Sequence, residues 1–180
     1  GKGSFEFLGT VSLILTDNYT YTDTDGLLDF STGTTLLNGD TPHSFTNQAT
    51  VARPLLITND DFQSNLSLIN SGRMIFRGVS NDISGSFVIE NGGLAEVQSQ
   101  AGGLDTVISP SQGLTVNAGG ELVLTATDAT SRGQVAIGAG ATLTNLGTVR
   151  SSGTAGNQRN QINEDVTNTG LLAVDHDLYI

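Results

Sequence analysis

Closely spaced acidic residues make one stretch a candidate cation site. Asp23, Asp25 and Asp29 lie within seven positions of one another. Carboxylate oxygens are the ligands that Ca²⁺ prefers, so the stretch is a candidate calcium loop. The twelve-residue loop of helix–loop–helix calcium proteins does not fit, because Tyr21 and Thr32 would occupy its first and last ligand positions. We favour a hairpin turn with solvated carboxylates, and we assign the chain no metal and no cofactor.

A second candidate cluster is Asp175-His176-Asp177 near the carboxyl end, whose residue types suit acid–base chemistry or metal binding. Residues i and i+2 of a strand share a face, so His176 would point away from both carboxylates. We therefore expect alternating strand positions rather than a converging site. The other histidine, His43, follows a proline and has no evident partner in the sequence.

Cleavage of a polysaccharide would require carboxylates and a basic residue that converge in one groove. Glu90, Glu96 and Glu121 could share a face, but their spacing alone does not establish it. The arginines are scattered over predicted strands and loops, at Arg73, Arg77, Arg132, Arg150 and Arg159. We therefore name no catalytic residues and expect no enzymatic activity.

The charge balance excludes some classes of partner. The chain has 18 acidic and 7 basic residues and a formal net charge of -11, which repels nucleic acid phosphates and anionic membrane surfaces. It contains no cysteine, so it has neither disulfides nor thiolate metal sites. Its apolar runs are far shorter than the roughly 20 residues of a membrane helix. We expect no nucleic-acid partner and no membrane insertion.

A recurring strand–corner–strand pattern dominates the carboxyl-terminal two thirds of the sequence. In residues 138–149, aliphatic side chains alternate with Thr on both sides of an Asn145-Leu146-Gly147 corner. Related corners recur at Asn70-Ser71-Gly72, Asn91-Gly92-Gly93, Asn117-Ala118-Gly119-Gly120 and Asn168-Thr169-Gly170. The sequence therefore predicts a stack of similar short-strand units.

The spacing of the corners predicts the architecture. Corner glycines follow one another at steps of about 20 to 27 residues, which suits a solenoid coil of two or three short strands. We expect the glycines to adopt positive φ and the stacked asparagines to form a ladder. Three polar insertions, at residues 99–105, 128–132 and 151–163, are expected to bulge from one edge of the stack.

Residues 1–60 lack this regular repeat. Short strands are predicted in Ser4–Thr16, with a break near Gly9, and further strands at residues 34–37, 45–51 and 55–58. Tyr19–Thr22 and Leu27–Phe30 flank an Asp-Gly pair, so we expect them to form an antiparallel hairpin. We accordingly divide the chain into an N-terminal β-region or cap, residues 1–60, and parallel solenoid coils, residues 61–180.

The repeats resemble those of a known group of proteins. Residues 143–149 and 166–172 both read aliphatic-x-Asn-x-Gly-x-aliphatic, and residues 69–74 are a partial copy. This pattern is similar to the repeat of secreted parallel β-helices such as autotransporter passengers and filamentous-haemagglutinin-like adhesins. The resemblance covers residues 65–180, carries no catalytic residues, and implies right-handed parallel coils in an exported bacterial surface protein with an adhesive or scaffolding role.

We therefore expect an all-β chain, a right-handed parallel β-helix with an irregular β-rich N-terminal region. Its expected function is that of a non-catalytic structural or adhesive module, extracellular or at the cell surface, with partners on host or neighbouring cells. The alternative is a filament subunit joined head to tail by its terminal strands, residues 5–15 and 171–180. A polysaccharide-binding or polysaccharide-degrading β-helix is the third hypothesis.

Overall fold

The computed structural model describes residues 4–6, 10–22, 27–30, 34–39, 43–58, 61–100, 102–154 and 157–180, and for residues 4–6, 11, 27–29 and 34–36 only the backbone. The described residues form 23 short β-strands and no helix. All strand pairs are parallel, so the predicted all-β parallel solenoid is confirmed.

The strands form three sheets, which we name A, B and C. Sheet A contains β1 Ser4–Glu6, β4 Leu27–Phe30, β7 Leu55–Ile57, β10 Arg73–Phe76, β13 Leu94–Gln98, β16 Glu121–Thr125, β19 Thr148–Ser152 and β22 Leu171–Val174. Sheet B contains β2 Val11–Leu15, β5 Thr34–Gly39, β8 Asp61–Ser64, β11 Ser80–Ile83, β14 Thr106–Pro110, β17 Gly133–Val135, β20 Asn160–Ile162 and β23 Leu178–Tyr179. Sheet C contains β3 Tyr19–Tyr21, β6 Ser44–Asn47, β9 Ser67–Asn70, β12 Phe87–Ile89, β15 Leu114–Val116, β18 Leu143–Asn145 and β21 Val166–Asn168.

The chain visits the sheets in the order A, B, C, and one such visit makes a rung. Each strand pairs with the strand three places later, which belongs to the next rung. The register advances by 19 residues from Asp61 to Ser80 and by 29 from Leu114 to Leu143. Because neighbouring strands lie about 4.8 Å apart, rungs of unequal length still stack at one constant spacing, and the extra residues go into the corners.

The predicted N-terminal hairpin is wrong. β3 pairs in parallel with β6 in sheet C, whereas β4 pairs in parallel with β1 and β7 in sheet A. β3 and β4 therefore belong to different sheets and do not pair with each other. Sheet pairing also runs across residue 60, since β5 pairs with β8 and β6 pairs with β9.

Inward side chains of successive rungs stack into one continuous core. Residues of a strand alternate between buried and outward positions, as period-two patterning requires. The fully buried aromatic side chains all belong to the amino-terminal half: Phe30, Phe45, Phe62, Phe76 and Phe87. Later rungs are filled by aliphatic side chains such as Leu114, Leu124 and Leu143. Among the described residues, the core therefore changes along the stack from mixed aromatic and aliphatic to aliphatic.

All five predicted corners lie at the same place, between a sheet C strand and the next sheet A strand. Their final glycines, Gly72, Gly93, Gly120, Gly147 and Gly170, do not adopt the expected positive φ. A Cβ added at Gly147 would instead lie 2.3 Å from the Asn117 carbonyl oxygen of the preceding rung, and one at Gly93 would lie 2.1 Å from that of Asn70. These final glycines are required because backbones approach closely, whereas the expected positive φ is found at the preceding glycines of two corners, Gly92 and Gly119.

The asparagine ladder exists in two separate pieces. Asn47 Nδ2 donates to Asn70 Oδ1 at 2.7 Å, and Asn145 Nδ2 donates to Asn168 Oδ1 at 2.6 Å. In the same column of sheet C, the two rungs between these pairs carry Ile89 and Val116. At those rungs the corner is longer, and Asn91 and Asn117 lie beyond the column. The five sequence repeats therefore represent two kinds of corner.

Asn145 allows a direct test of the ladder. Its buried amide donates to Asn168 Oδ1 and, at 3.0 Å, to the Leu171 carbonyl. Asn145→Val is expected to cost about 1–2 kcal/mol, because both acceptors lose a donor while the side-chain volume changes little. The outward Thr144→Val is the matched control and should change stability by less than about 0.5 kcal/mol. Urea unfolding of both variants measures the difference, and equal stabilities would contradict a contribution from the ladder.

Candidate functional site

Three seven-residue loops lie at one corner, where a sheet A strand leads to a sheet B strand. The segments 99–105, 126–132 and 153–159 follow β13, β16 and β19, so they lie on consecutive rungs. We call their described residues the loop shelf. The prediction that the polar insertions bulge from one edge is confirmed, although β19 and β20 occupy both ends of the expected third insertion.

Asp128 links two neighbouring loops of the loop shelf through hydrogen bonds to its carboxylate. Its Oδ1 accepts hydrogen bonds from Ser131 Oγ at 2.7 Å and from the Thr130 backbone N–H at 2.8 Å. Its Oδ2 accepts one from the Gly102 N–H in the preceding loop, also at 2.8 Å. These donors, led by the Ser131 hydroxyl, hold the pKa of Asp128 well below its ordinary value. The carboxylate therefore serves as a structural acceptor.

The depressed pKa gives a pH prediction. A carboxyl whose pKa is lower in the folded than in the unfolded chain stabilises the fold above its unfolded pKa, and this contribution is lost as the pH falls through the folded value. Asp128→Asn should therefore lower the thermal midpoint at pH 7, and the gap to the unsubstituted chain should narrow below about pH 4. Thermal unfolding of both proteins across pH measures the gap, and a gap that widened with acid would contradict this role.

The arginines singled out in the sequence join neighbouring rungs. Arg73 Nη2 lies 2.8 Å from Glu96 Oε2, Arg132 Nε lies 3.2 Å from Asp105 Oδ2, and Arg159 Nε lies 3.4 Å from Asp177 Oδ2. Arg150 contacts carboxylates on both sides, Glu121 at 2.9 Å and Asp175 at 2.6 Å. Arg77 Nε donates to Gln98 Oε1 in the next rung at 2.9 Å. All five ion pairs found among the described residues therefore connect one rung to the next.

The glutamates that a groove for polysaccharide cleavage would use are bound to other side chains of the protein. Glu96 and Glu121 share the outer face of sheet A on adjacent rungs, in different columns, and each binds an arginine. Glu90 lies at the corner before β13, where Asn117 Nδ2 donates to its carboxylate at 2.9 Å. The pKa of Arg150 is raised, mainly by its hydrogen bond to Glu121 and next by its hydrogen bond to Asp175. Its guanidinium therefore stays charged. The three glutamates do not converge.

The Asp175-His176-Asp177 cluster is divided among separate partners. The three residues form the corner between β22 and β23, so the expected strand is wrong here, although the expected lack of convergence holds. Asp175 pairs with Arg150 and Asp177 with Arg159, whereas His176 Nε2 lies 2.8 Å from the Gln158 carbonyl oxygen. The corner thus connects the last rung to the loop shelf.

The calcium candidate lies mostly outside the described residues, because Asp23 and Asp25 are not among them. Asp29 belongs to β4, and only its backbone is described. Elsewhere in the described ranges, no group of three or more acidic or histidine residues is placed to hold a metal ion. His43 is half-buried, and its Nδ1 has no hydrogen-bond partner.

Depressions in the described surface are open and shallow. One of about 330 Å³ lies at the corner next to Val51, Arg73 and Leu94. Another of about 450 Å³ lies between the segment 162–165 and Tyr179. Neither depression brings together a nucleophile, a base and a charged stabilising group of the kind that catalysis requires.

The outer face of sheet C has a property that the sequence interpretation missed. Each of its short strands turns one central side chain outward, and pairing places these seven side chains in one row: Thr20, Thr46, Ile69, Val88, Thr115, Thr144 and Thr167. All seven are β-branched and uncharged. The sequence signal is a β-branched residue at the middle of every third strand, which becomes visible only when the unequal rung lengths are known.

The fold and surface define the class of protein: an all-parallel β-solenoid whose polar groups mainly join its own rungs. Comparison with family models, with curated proteins and with solved structures gave no match for this chain. Among its described residues, no helix has the length and apolar character needed to span a membrane.

Proposed function

We propose that the chain is a non-catalytic structural and adhesive module of a bacterial surface or secreted protein, working outside the cell. The observation that supports this most directly is the use of its charged groups. In the described part of the chain, every arginine that forms an ion pair binds a carboxylate of a neighbouring rung. Such pairs stabilise a stack and leave these groups unavailable for acid–base chemistry.

The architecture suits a module that bears load. Three parallel sheets run along the stack, so each rung is hydrogen-bonded to the next on three sides. The buried Asn47–Asn70 bond and the partly buried Asn145–Asn168 bond add side-chain links in the same direction. A force along the axis would have to break many such bonds together within one rung interface. The similarity of its Asn-x-Gly repeats to those of secreted β-helices supports the extracellular, bacterial and adhesive parts of the proposal.

A head-to-tail filament subunit is the second candidate, and one observation favours it. In the last described rung, Leu171, Val174, Tyr179 and Ile180 are more than half exposed. A further rung of the same polypeptide or a rung of another copy would cover them. Electron microscopy of the purified chain tests this candidate: filaments of constant width would support it, and discrete short rods would argue against it.

Surface display tests the adhesive module. The chain would be displayed on a non-adherent bacterium, and attachment of the bacteria to host cells and to one another would be counted. We expect attachment above that of bacteria displaying Gly147→Ala, a variant expected to disturb the stack at one corner. A panel of soluble acidic and neutral polysaccharides would be incubated with the purified chain in parallel. The proposal would be overturned if the purified chain released new sugar ends from a polysaccharide and bacteria displaying the chain attached no better than those displaying Gly147→Ala.

A further inference from the structure

The outer face of sheet C carries few charged side chains. Beside the β-branched row, rung pairing places two further outward rows. One contains the outward Asn18, Ser44, Ser67, Ser86, Thr142 and Asp165, with the buried Gly113 between Ser86 and Thr142. The other contains Gln48, Ser71, Glu90, Asn117, Leu146 and Thr169. We call the three rows the neutral face. Asp165 and Glu90 are its two charged residues, whereas the whole chain carries a net charge of -11.

We propose that the neutral face is a lateral contact surface for a second copy of this chain, with two solenoids side by side and antiparallel. Two molecules of the same strong negative charge repel one another wherever their carboxylates meet, so they approach most easily through a face that has few. The loop shelf and sheet A present Asp105, Asp128, Glu96 and Glu121 and do not meet this condition, and the outer face of sheet B carries the Asp82 carboxylate in its middle row. This contact is independent of the adhesive role proposed above.

The composition of the central row suits a two-fold axis. If the axis passes between the rungs of Ile69 and Val88, each of these apolar side chains meets the other type in the partner. Thr46 then meets Thr115, and Thr20 meets Thr144. The arrangement places apolar side chains at the centre and hydroxyls around them, as in ordinary interfaces. A row of β-branched side chains that repeats once per strand can also interdigitate with the identical row of the second copy.

The same axis keeps the charged residues of the neutral face, Glu90 and Asp165, away from the carboxylates of the second copy's neutral face. It reverses the order of the rungs and keeps the order of the rows, so Glu90 meets Ser71 of the second copy, whose hydroxyl can donate to the carboxylate. Asp165 lies on the seventh rung and extends past the first rung of the second copy. The register that joins the apolar centres therefore brings no two carboxylates of the neutral face together.

The size of the neutral face predicts a weak dimer. Three rows about 6.6 Å apart and seven rungs about 4.8 Å apart cover roughly 600 Å² on each partner. Stable specific interfaces use about 800 Å² on each side, so a dissociation constant of about 10 µM to 1 mM is expected. Added salt should strengthen the dimer, because it screens the repulsion between the two acidic molecules.

Sedimentation equilibrium of the full chain tests the proposal, from about 10 µM to 1 mM protein in about 0.05 M and 0.5 M NaCl. We expect a monomer–dimer equilibrium that tightens at least about threefold at the higher salt. Val88→Glu and Val88→Lys should each weaken dimerisation at least about tenfold, because both put like charges at the axis. Val107→Glu, at an outward and similarly half-buried valine of sheet B, is the matched control and should leave it unchanged.

The Val88→Lys variant distinguishes a loss of the contact from an effect of net charge. It lowers the repulsion between the two acidic molecules, so it weakens dimerisation only if Val88 lies in the contact. A monomer at about 1 mM protein in 0.5 M NaCl would overturn the proposal, as would equal effects of the Val88 and Val107 substitutions. A monomer that binds insoluble cellulose or chitin, and loses this binding with Val88→Glu, would assign the neutral face to a glycan instead. Circular dichroism of each variant shows that its strands are retained.

Discussion

Replacement of Gly147 by alanine is expected to destabilise the chain by about 3 kcal/mol or more. A Cβ at this position would lie 2.3 Å from the Asn117 carbonyl oxygen and 2.5 Å from that of Gly120. Both atoms belong to the backbone of the preceding rung, so no side-chain rotation relieves the overlap. Relief would require that the corner between β18 and β19 move away from the stack, which would break ladder hydrogen bonds such as Thr148 N to Gly120 O.

Gly140→Ala is the control for this prediction. Gly140 adopts a φ of 83°, but a Cβ added there meets no atom within 4 Å. Its replacement should cost about 1 kcal/mol, from the backbone conformation alone. Urea unfolding of both variants gives the comparison. A Gly140 variant that is as unstable as the Gly147 variant would contradict the view that close rung approach fixes the corner glycines.

Truncation of Phe87 to alanine is expected to cost about 3–5 kcal/mol. Phe87 is fully buried in sheet C, and its ring meets the edge of Phe76 from sheet A, with centroids 5.8 Å apart and planes at 75°. This contact bridges two sheets at the last aromatic rung of the core. An alanine there leaves a cavity that the neighbouring rungs, fixed by their ladders, cannot close.

Val88→Ala is the matched control, because Val88 is the next residue along the same strand and points outward. It should cost less than about 1 kcal/mol. The free energies of unfolding of the two variants, measured in urea, provide the test. A Phe87 variant that lost no more stability than the Val88 variant would show that the aromatic rings do not form the packed centre described above.

The sequence was sufficient for the fold class because strand periodicity and corner spacing are local signals. The Asn145-Leu146-Gly147 corner and its relatives predicted strand, corner and strand, and all five lie at one edge of the stack. The N-terminal strands were harder to interpret, because an Asp-Gly pair between two strands suits a hairpin as well as a corner between sheets. Which of these forms depends on whether distant strands such as β6 and β7 offer a partner, and short-range pattern carries no such information.

The contacts between rungs could not be predicted for a related reason. Arg150 reaches Glu121, 29 residues earlier, and Asp175, 25 residues later. Because rung lengths vary between 18 and 29 residues, the partner of a given side chain cannot be found by counting a fixed period. The same irregularity hid the β-branched row of sheet C. The absence of convergence at Asp175-His176-Asp177 was correctly expected, but from a strand that is in fact a corner.

One uninterrupted stack of rungs runs from β3 to β21, and a distance measurement between its two ends tests this most directly. The chain contains no cysteine, so Thr20→Cys and Thr167→Cys provide two unique positions for spin labels. Six rung steps separate them, which corresponds to about 29 Å between Cα atoms. Pulsed electron paramagnetic resonance, on labelled chain diluted in excess unlabelled chain, should give one narrow distance distribution near this value. A broad distribution, or a distance shorter by several rung steps, would contradict the account.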